Sequence, residues 1–214
     1  MITKAMIEAQ RELYSKPILL GNKIAVKVLT VRNRHFGILD GVTVPKKIMG
    51  DIDPYVFGDG THFTTQMVTE AMEKHIAKGA RVLDIGCGTG IQSIIAIMLG
   101  AKKAESVDID PTAIAATEHN AELNKVTDKL TARVANLTEG AEGQYDMVVA
   151  NILADPVIEL LTNLHEFVQE ESTIILSGIK EDRENDVLEA AKDYEIVERQ
   201  IRDGWVCLVL KLKK

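Results

Sequence analysis

Between Val82 and Ile91 an apolar run, Val82-Leu83-Asp84-Ile85, passes straight into Gly86-Cys87-Gly88-Thr89-Gly90 and then into residues with helical spacing. Glycine at alternate positions permits a turn too sharp for other residues and opens backbone N–H groups to a ligand at the helix start. A strand delivered by such a turn into a helix is half of a βαβ unit, and βαβ units build parallel sheets covered on both faces. The chain from residue 62 onward keeps this alternation. Its pattern predicts helix over 62–78, strand 81–85, helix 90–99, strand 104–108, helix 111–124, strand 130–134, strand 145–150, helix 155–169, strand 172–177, helix 181–192, and two final strands over 194–202 and 205–212.

Asp203-Gly204, between the last two strands, favours a two-residue hairpin, so one strand should invert the otherwise parallel sheet. The expected fold is α/β: a Rossmann-like, doubly wound sheet of seven strands ending in an antiparallel hairpin. The N-terminal part reads differently. Met6, Ile7 and Leu13 lie at helical spacing before Pro17, which predicts a short helix over 3–14. Ile24, Val26, Val28, Val31, Phe36, Ile38, Val42 and Val44 form β-rich runs broken at Asn33 and Asp40-Gly41, which predicts a small antiparallel ribbon. Pro45 and Pro54 bracket a linker, so residues 1–56 read as a helix-and-ribbon extension and 57–214 as the main domain.

Hydrophobic residues make up 46% of the chain and charged ones 27%, and no apolar run reaches the roughly 20 residues that a membrane span needs. The first residues meet charge before any long apolar stretch, unlike a secretory signal, so a cytoplasmic protein is expected. Cys87 and Cys207 stand far apart, and neither they nor the five histidines show metal-ligand spacing, so no metal is expected. The net charge of −7 disfavours direct nucleic-acid binding, although residues 1–50 carry +6 against −13 for the remainder.

The glycine turn has a second feature in register with it. Asp108 ends the next predicted strand about 20 residues on, where a carboxylate accepts hydrogen bonds from ribose hydroxyls. A nicotinamide dinucleotide is disfavoured, because its fingerprint has two residues before the third glycine where this chain has only Thr89. Asp84 argues the same way: a carboxylate at the start of the turn repels a pyrophosphate and attracts an ammonium. S-adenosylmethionine carries an amine, a carboxylate and a sulfonium but no phosphate, which makes it the expected cofactor.

With its neighbours this stretch resembles class I methyltransferases, in which an antiparallel terminal hairpin is common. Phe57-Gly58-Asp59-Gly60-Thr61-His62-Phe63-Thr64-Thr65 looks like the F-G-T-G-x-H-x-T-T segment of bacterial ribosomal-protein methyltransferases of the PrmA type, and Asn151-Ile152-Leu153-Ala154 is similar to their N-I-L-A segment. The resemblance covers residues from about 17 to the C-terminus and departs at Asp59, where the family has Thr, and at Phe63, where Pro is usual. It also implies a ferredoxin-like recognition domain, which the roughly 55 residues before Phe57 do not spell out as two βαβ units.

The expected cofactor set is Thr61, Thr64, Asp84, Gly86, Cys87, Gly88, Gly90, Asp108, Ile109, Asn136 and Asn151. Thr61, Thr64 and Thr65 stand at a helix start whose free N–H groups suit the methionine carboxylate, and Asn136 stands where related enzymes place a polar group against the adenine amine. Asn151 and His62 are the expected catalytic residues, Asn151 holding the incoming amine and His62 orienting the loop or taking a proton; Asp155 is a further nearby acid. The acceptor implied is a protein amine, with a ribosomal protein first, a small amine as the alternative, and a non-catalytic cofactor-binding module behind both. An RNA base is disfavoured, since Asn151-Ile152-Leu153-Ala154 lacks the aromatic platform that stacks a flipped base.

Overall fold

The computed structural model describes residues 17–28, 47–52 and 57–213. Seven strands form the main sheet: β4 (Arg81–Ile85), β5 (Lys103–Asp108), β6 (Leu130–Val134), β7 (Tyr145–Asn151), β8 (Val168–Lys180), β9 (Tyr194–Arg202) and β10 (Trp205–Leu212). Their spatial order is β6-β5-β4-β7-β8-β10-β9. Pairings are parallel from β6 to β8, and β10 is antiparallel to both of its neighbours. Asp203 (φ 52°) and Gly204 (φ 73°) both take the left-handed conformation that a type I′ hairpin demands, which is why Asp-Gly encoded this turn.

Helices cover both faces because the strands alternate their apolar side chains. Val82, Met147, Val149, Ile175 and Val209 face one core with Met67, Val68 and Met72 of helix α1 (Phe63–His75) and Ile94 and Ile95 of α2 (Ile91–Leu99). Leu83, Ile85, Val148, Leu176 and Leu208 face the other with Val157, Leu160 and Leu161 of α4 (Ala154–Leu161) and Val187 of α5 (Glu184–Ala190). Helix α3 (Pro111–Leu123) starts on Pro111 behind Asp110, whose side chain accepts from Thr112 N as an N-cap. No helix among the described residues is long and apolar enough to cross a membrane.

Three segments differ from expectation. The helix expected over 155–169 stops at Leu161; a 3₁₀ turn at Leu164–Phe167 follows, and β8 begins at Val168, four residues early. Gln169 N–H donates to Ser172 Oγ, which itself donates to the Tyr145 carbonyl, so the extra residues loop out beside β7 with their polar groups satisfied. The helix expected over 181–192 is a 3₁₀ turn followed by the short α5. In the N-terminal part, β1 (Ile18–Leu19) pairs antiparallel with β2 (Ile24–Val28), but β2 pairs parallel with β3 (Lys47–Ile52), a stretch expected to be linker. The described strands of this part thus form a mixed three-stranded sheet in the order β1-β2-β3. The expected helix over 3–14 and the run over 29–46 lie outside the described residues. Leu20, Ile24 and Val26 join the α1–α2 core, and Glu73 of α1 accepts from Asn22 N–H (2.9 Å) and Lys23 N–H (2.7 Å), fastening the ribbon turn to that helix.

The turn after β7 passes through a gap with no room for side chains beside it. A Cβ on Gly86 would stand 2.2 Å from Ile152 Cγ2, and one on Gly178 would stand 2.4 Å from the Ile152 carbonyl oxygen. Gly178→Ala, at φ +80° and against immovable backbone, should therefore lower the unfolding free energy by about 2–4 kcal/mol. Gly79→Ala, at φ +84° with nothing within 4 Å, should lose only about 1 kcal/mol. Urea unfolding of both variants checks the difference, and equal losses would contradict the packing account.

Candidate active site

Gly86, Gly88 and Gly90 all have positive φ (70°, 55° and 77°), as the sharp turn requires. What crowds them is the protein itself. Besides the Gly86 contact, a Cβ on Gly88 would meet the Phe57 carbonyl oxygen at 2.4 Å, and one on Gly90 would meet Thr117 at 2.8 Å. Thr89 N–H donates to the same Phe57 oxygen (3.2 Å) and Thr89 Oγ to the Gly58 carbonyl (2.6 Å), so the 57–58 loop is stitched onto the glycine turn. Cys87 is buried, with Sγ 3.3 Å from Thr117 Oγ1.

Asp84 lies beneath this turn, only 1% exposed. Its Oδ2 accepts from Ser93 N–H (3.0 Å) and Ser93 Oγ (2.8 Å), and Ser93 Oγ lies 2.6 Å from Ser106 Oγ, which links β4, β5 and the first turn of α2. Burial pushes the carboxyl up to about 6 from 3.8; the Ser93 bonds oppose the rise and the nearby Asp108 adds to it.

Asp108 closes β5 at the carboxyl edge of the sheet. Its Oδ2 accepts from Gly88 N–H and its Oδ1 from Asp110 N–H, each at 3.0 Å, so the carboxylate fixes the turn and keeps further acceptor capacity on both oxygens. Beside it opens a cleft of about 350 Å³. Gly86, Gly88, Asp108, Ile109, Asn136 and Asn151 all line it, and so do Phe57, Leu137, Ile152 and Leu153. Phe57, Ile109 and Leu153 are exposed apolar side chains on its rim, at 64%, 71% and 64%. Asn151 presents a buried Oδ1 without a hydrogen-bond partner. Among the described residues the lining contains one carboxylate and two carboxamides and no lysine or arginine.

Thr61, His62 and Thr64 stand beyond the cleft wall, at the start of α1. Thr61 donates from both N–H (2.8 Å) and Oγ1 (2.6 Å) to Asp59 Oδ1, so Asp59 pins the loop from within. His62 is the N-cap: Nδ1 accepts from Thr64 N–H at 3.3 Å and lies 2.8 Å from Thr64 Oγ1. An accepting Nδ1 puts the proton of a neutral ring on Nε2, which is then a donor. Thr65 is fully buried, and its Oγ1 has no partner. Asp155 points away from proton transfer, being 79% exposed at its side chain and ion-paired with Arg183 at 2.6 Å.

The structure thus gathers six expected residues around one cleft, leaves Thr61, His62 and Thr64 outside its lining with His62 in ring contact with Phe57, and places Asp84, Cys87 and Gly90 in the supporting layer. Sequence reasoning overlooked Trp205. Its ring meets His62 edge-on at a centroid distance of 5.0 Å, and His62 meets Phe57 at 5.7 Å, which extends the cleft wall outward. Because β10 runs antiparallel, its first residue, not its last, reaches the carboxyl edge; the lone tryptophan just after Asp203-Gly204 was the available signal. A wider groove of about 800 Å³ near His165, Lys192 and Lys213 lies at the opposite ends of the strands, away from all of these residues.

A parallel sheet inverted by its last hairpin, with a glycine turn and a carboxylate at the next strand end, is the fold of class I methyltransferases. The chain belongs to the ribosomal protein L11 methyltransferase (PrmA) family, whose model matches residues 9–213. It is 37% identical over 203 residues to the ribosomal protein L11 methyltransferase of Ruminiclostridium cellulolyticum, covering 92% of this chain and 62% of the relative. It is 42% identical over 170 residues to that of Brevibacillus brevis, covering 78% and 54%. The chain therefore spans between about half and two thirds of these relatives' length. The crystal structure of a ribosomal protein L11 methylase from Lactobacillus delbrueckii subsp. bulgaricus superposes with a TM-score of 0.81 at 27% identity, covering 92% of this chain and 99% of that one. A Bacillus subtilis tRNA methyltransferase shares the fold at a TM-score of 0.58 and 16% identity, over 68% of this chain and 65% of its own.

Since the folded-state value of Asp84 stands above the roughly 3.9 of an unfolded chain, folding favours its protonated form. Its stabilising contribution is full below about pH 4 and is lost as pH rises through about 6, a change of about 3 kcal/mol. Urea unfolding should show wild type losing up to that amount between acidic and neutral pH relative to Asp84→Asn; a difference that does not change with pH would contradict it.

Proposed function

We propose that the chain is an S-adenosylmethionine-dependent N-methyltransferase whose acceptor is a protein amine, with a ribosomal protein as the favoured substrate, a pairing that places the reaction in the cytoplasm. The observation that carries this is the cleft lining: Asp108, Asn136 and Asn151 set among apolar side chains, with no cation among the described residues to hold phosphate. Such a lining suits a nucleoside that carries no phosphate. Asp108 retains acceptor sites for ribose hydroxyls, Ile109 and Leu137 offer apolar surface to a base, and Asn136 supplies a polar partner at its edge. For Thr61 and Thr64 to hold the amino-acid end, the bonds of their N–H and hydroxyl groups to Asp59 and His62 must be exchanged on binding, while the glycine turn of Gly86, Cys87, Gly88 and Gly90, braced by Asp84, shapes the floor.

When bound, the cofactor supplies a methyl group on a sulfonium, a good leaving group that needs no acid. The protein's part is alignment and exclusion of water. Once the acceptor's ammonium has lost a proton to solvent, Asn151 Oδ1, buried and unpartnered, can accept an N–H of the neutral amine and so turn its lone pair toward the cleft. His62, in ring contact with Phe57 and Trp205, positions the threshold rather than serving as a base, because its Nδ1 lone pair already accepts from Thr64 N–H as the cap of α1. Phe57 and Leu153 give the cleft an exposed apolar rim, which a bound cofactor can cover.

Two measurements test the proposal. Labelled cofactor incubated with the protein, purified ribosomal protein L11 and a cell lysate should mark L11; label confined to small molecules would instead favour a small-amine acceptor. Asp108→Ala should weaken adenosylhomocysteine binding by about 1–3 kcal/mol, roughly 5- to 150-fold, through lost charged hydrogen bonds and an unpaired Gly88 N–H. Unchanged affinity by calorimetry would remove Asp108 from the site.

A further inference from the structure

Trp205 is the only tryptophan of the chain and the first residue of β10. Lys180, the last residue of β8 and the register partner of Trp205, carries its Nζ over that ring, 4.5 Å from the centroid. Lys180 is exposed, and among the described residues no carboxylate pairs with it. An exposed ammonium without a carboxylate partner among the described residues settles on an aromatic face because the ring's negative quadrupole attracts it. The ring is therefore a seat for an alkylammonium. The seat is not isolated: through the edge-on contact with His62, and from His62 to Phe57, the wall runs inward to a residue that lines the cleft.

We infer that Lys180 is a specificity-determining residue, its ammonium occupying the Trp205 face as an internal stand-in for the acceptor's alkylammonium, which enters along the Trp205–His62–Phe57 wall by displacing it. This rests on the amine-acceptor reading above. Two ammonium groups cannot share one ring face, so occupancy by Lys180 and by the acceptor is mutually exclusive. Every cationic acceptor must overcome the same competitor, and a long flexible chain that covers the ring with its methylenes does so better than a compact amine. Lys180 thereby favours a lysine-like side chain over small cations without touching the transferred methyl.

The lone tryptophan makes its own reporter. Emission of Trp205 is followed while wild type, Lys180→Ala and Lys180→Arg are titrated with n-butylammonium chloride at constant ionic strength, with n-butanol as the neutral control. The expected result is a saturable change with butylammonium whose midpoint in Lys180→Ala is roughly two- to fivefold lower than in wild type, with Lys180→Arg close to wild type and no such difference for n-butanol. Equal midpoints in wild type and Lys180→Ala, no saturable response in any of the three proteins, or the same difference with n-butanol would overturn the assignment. The fluorescence readout needs no methyl transfer. A failed titration leaves labelling of L11 standing, and failed labelling leaves the titration to be judged on its own.

Discussion

Ile152 is the residue on which the carboxyl edge of the sheet closes. Its side chain fills the space in front of Gly86 and its carbonyl presses on Gly178, so the turn between β7 and α4 is clasped by the strand ends on either side. With no β-carbon at either flank, main chain packs against its neighbours at distances an alanine would forbid. That approach sets where Asn151 lies relative to Asp108, and hence the width of the cleft. The glycines of the first turn follow the same logic: at Gly86, Gly88 and Gly90 the excluded atoms belong to Ile152, Phe57 and Thr117. Their first duty is to let protein segments meet, and the shape offered to a ligand is the result.

Beneath this sits a layer of buried polarity that holds the turn from below. Asp84, Ser93 and Ser106 tie the ends of β4 and β5 to the first turn of α2, and they do so where an apolar packing of the same volume would be less directional. Asp108 extends the brace upward by holding Gly88 N–H. The two carboxylates, so alike in sequence position, divide the work by burial: one is sealed under the turn and the other faces the cleft.

The alternation of strands and helices, the inverted hairpin at Asp203-Gly204 and the residues around the glycine turn were legible in the sequence, because each depends on local chemistry or on a period of two or 3.6 residues. Less was legible where partners distant in sequence decide. The early start of β8 depends on Ser172 reaching the Tyr145 carbonyl, and the parallel pairing of β2 with β3 on a partner that periodicity does not announce. Asp84 was expected to meet the ligand's ammonium, yet its burial under α2 follows from Ser93, nine residues on. Trp205 escaped notice because its place at the edge depends on strand direction, a property of the sheet and not of the segment.

Helix α1 joins the cleft to the rest of the molecule in an uneven way. Its later turns are clamped by charge: Glu70 to Arg202, Lys74 and His75 to Glu198, and Glu73 to the ribbon turn at Asn22 and Lys23. Its first turn has no ion pair among the described residues and is held by the burial of Thr64 and Thr65, the His62 ring contacts and short local bonds. The charged clamps thus all lie toward one end of a rod about 20 Å long. Rocking it by about three degrees swings the tip by roughly 1 Å, comparable to the tolerance that alignment for methyl transfer allows.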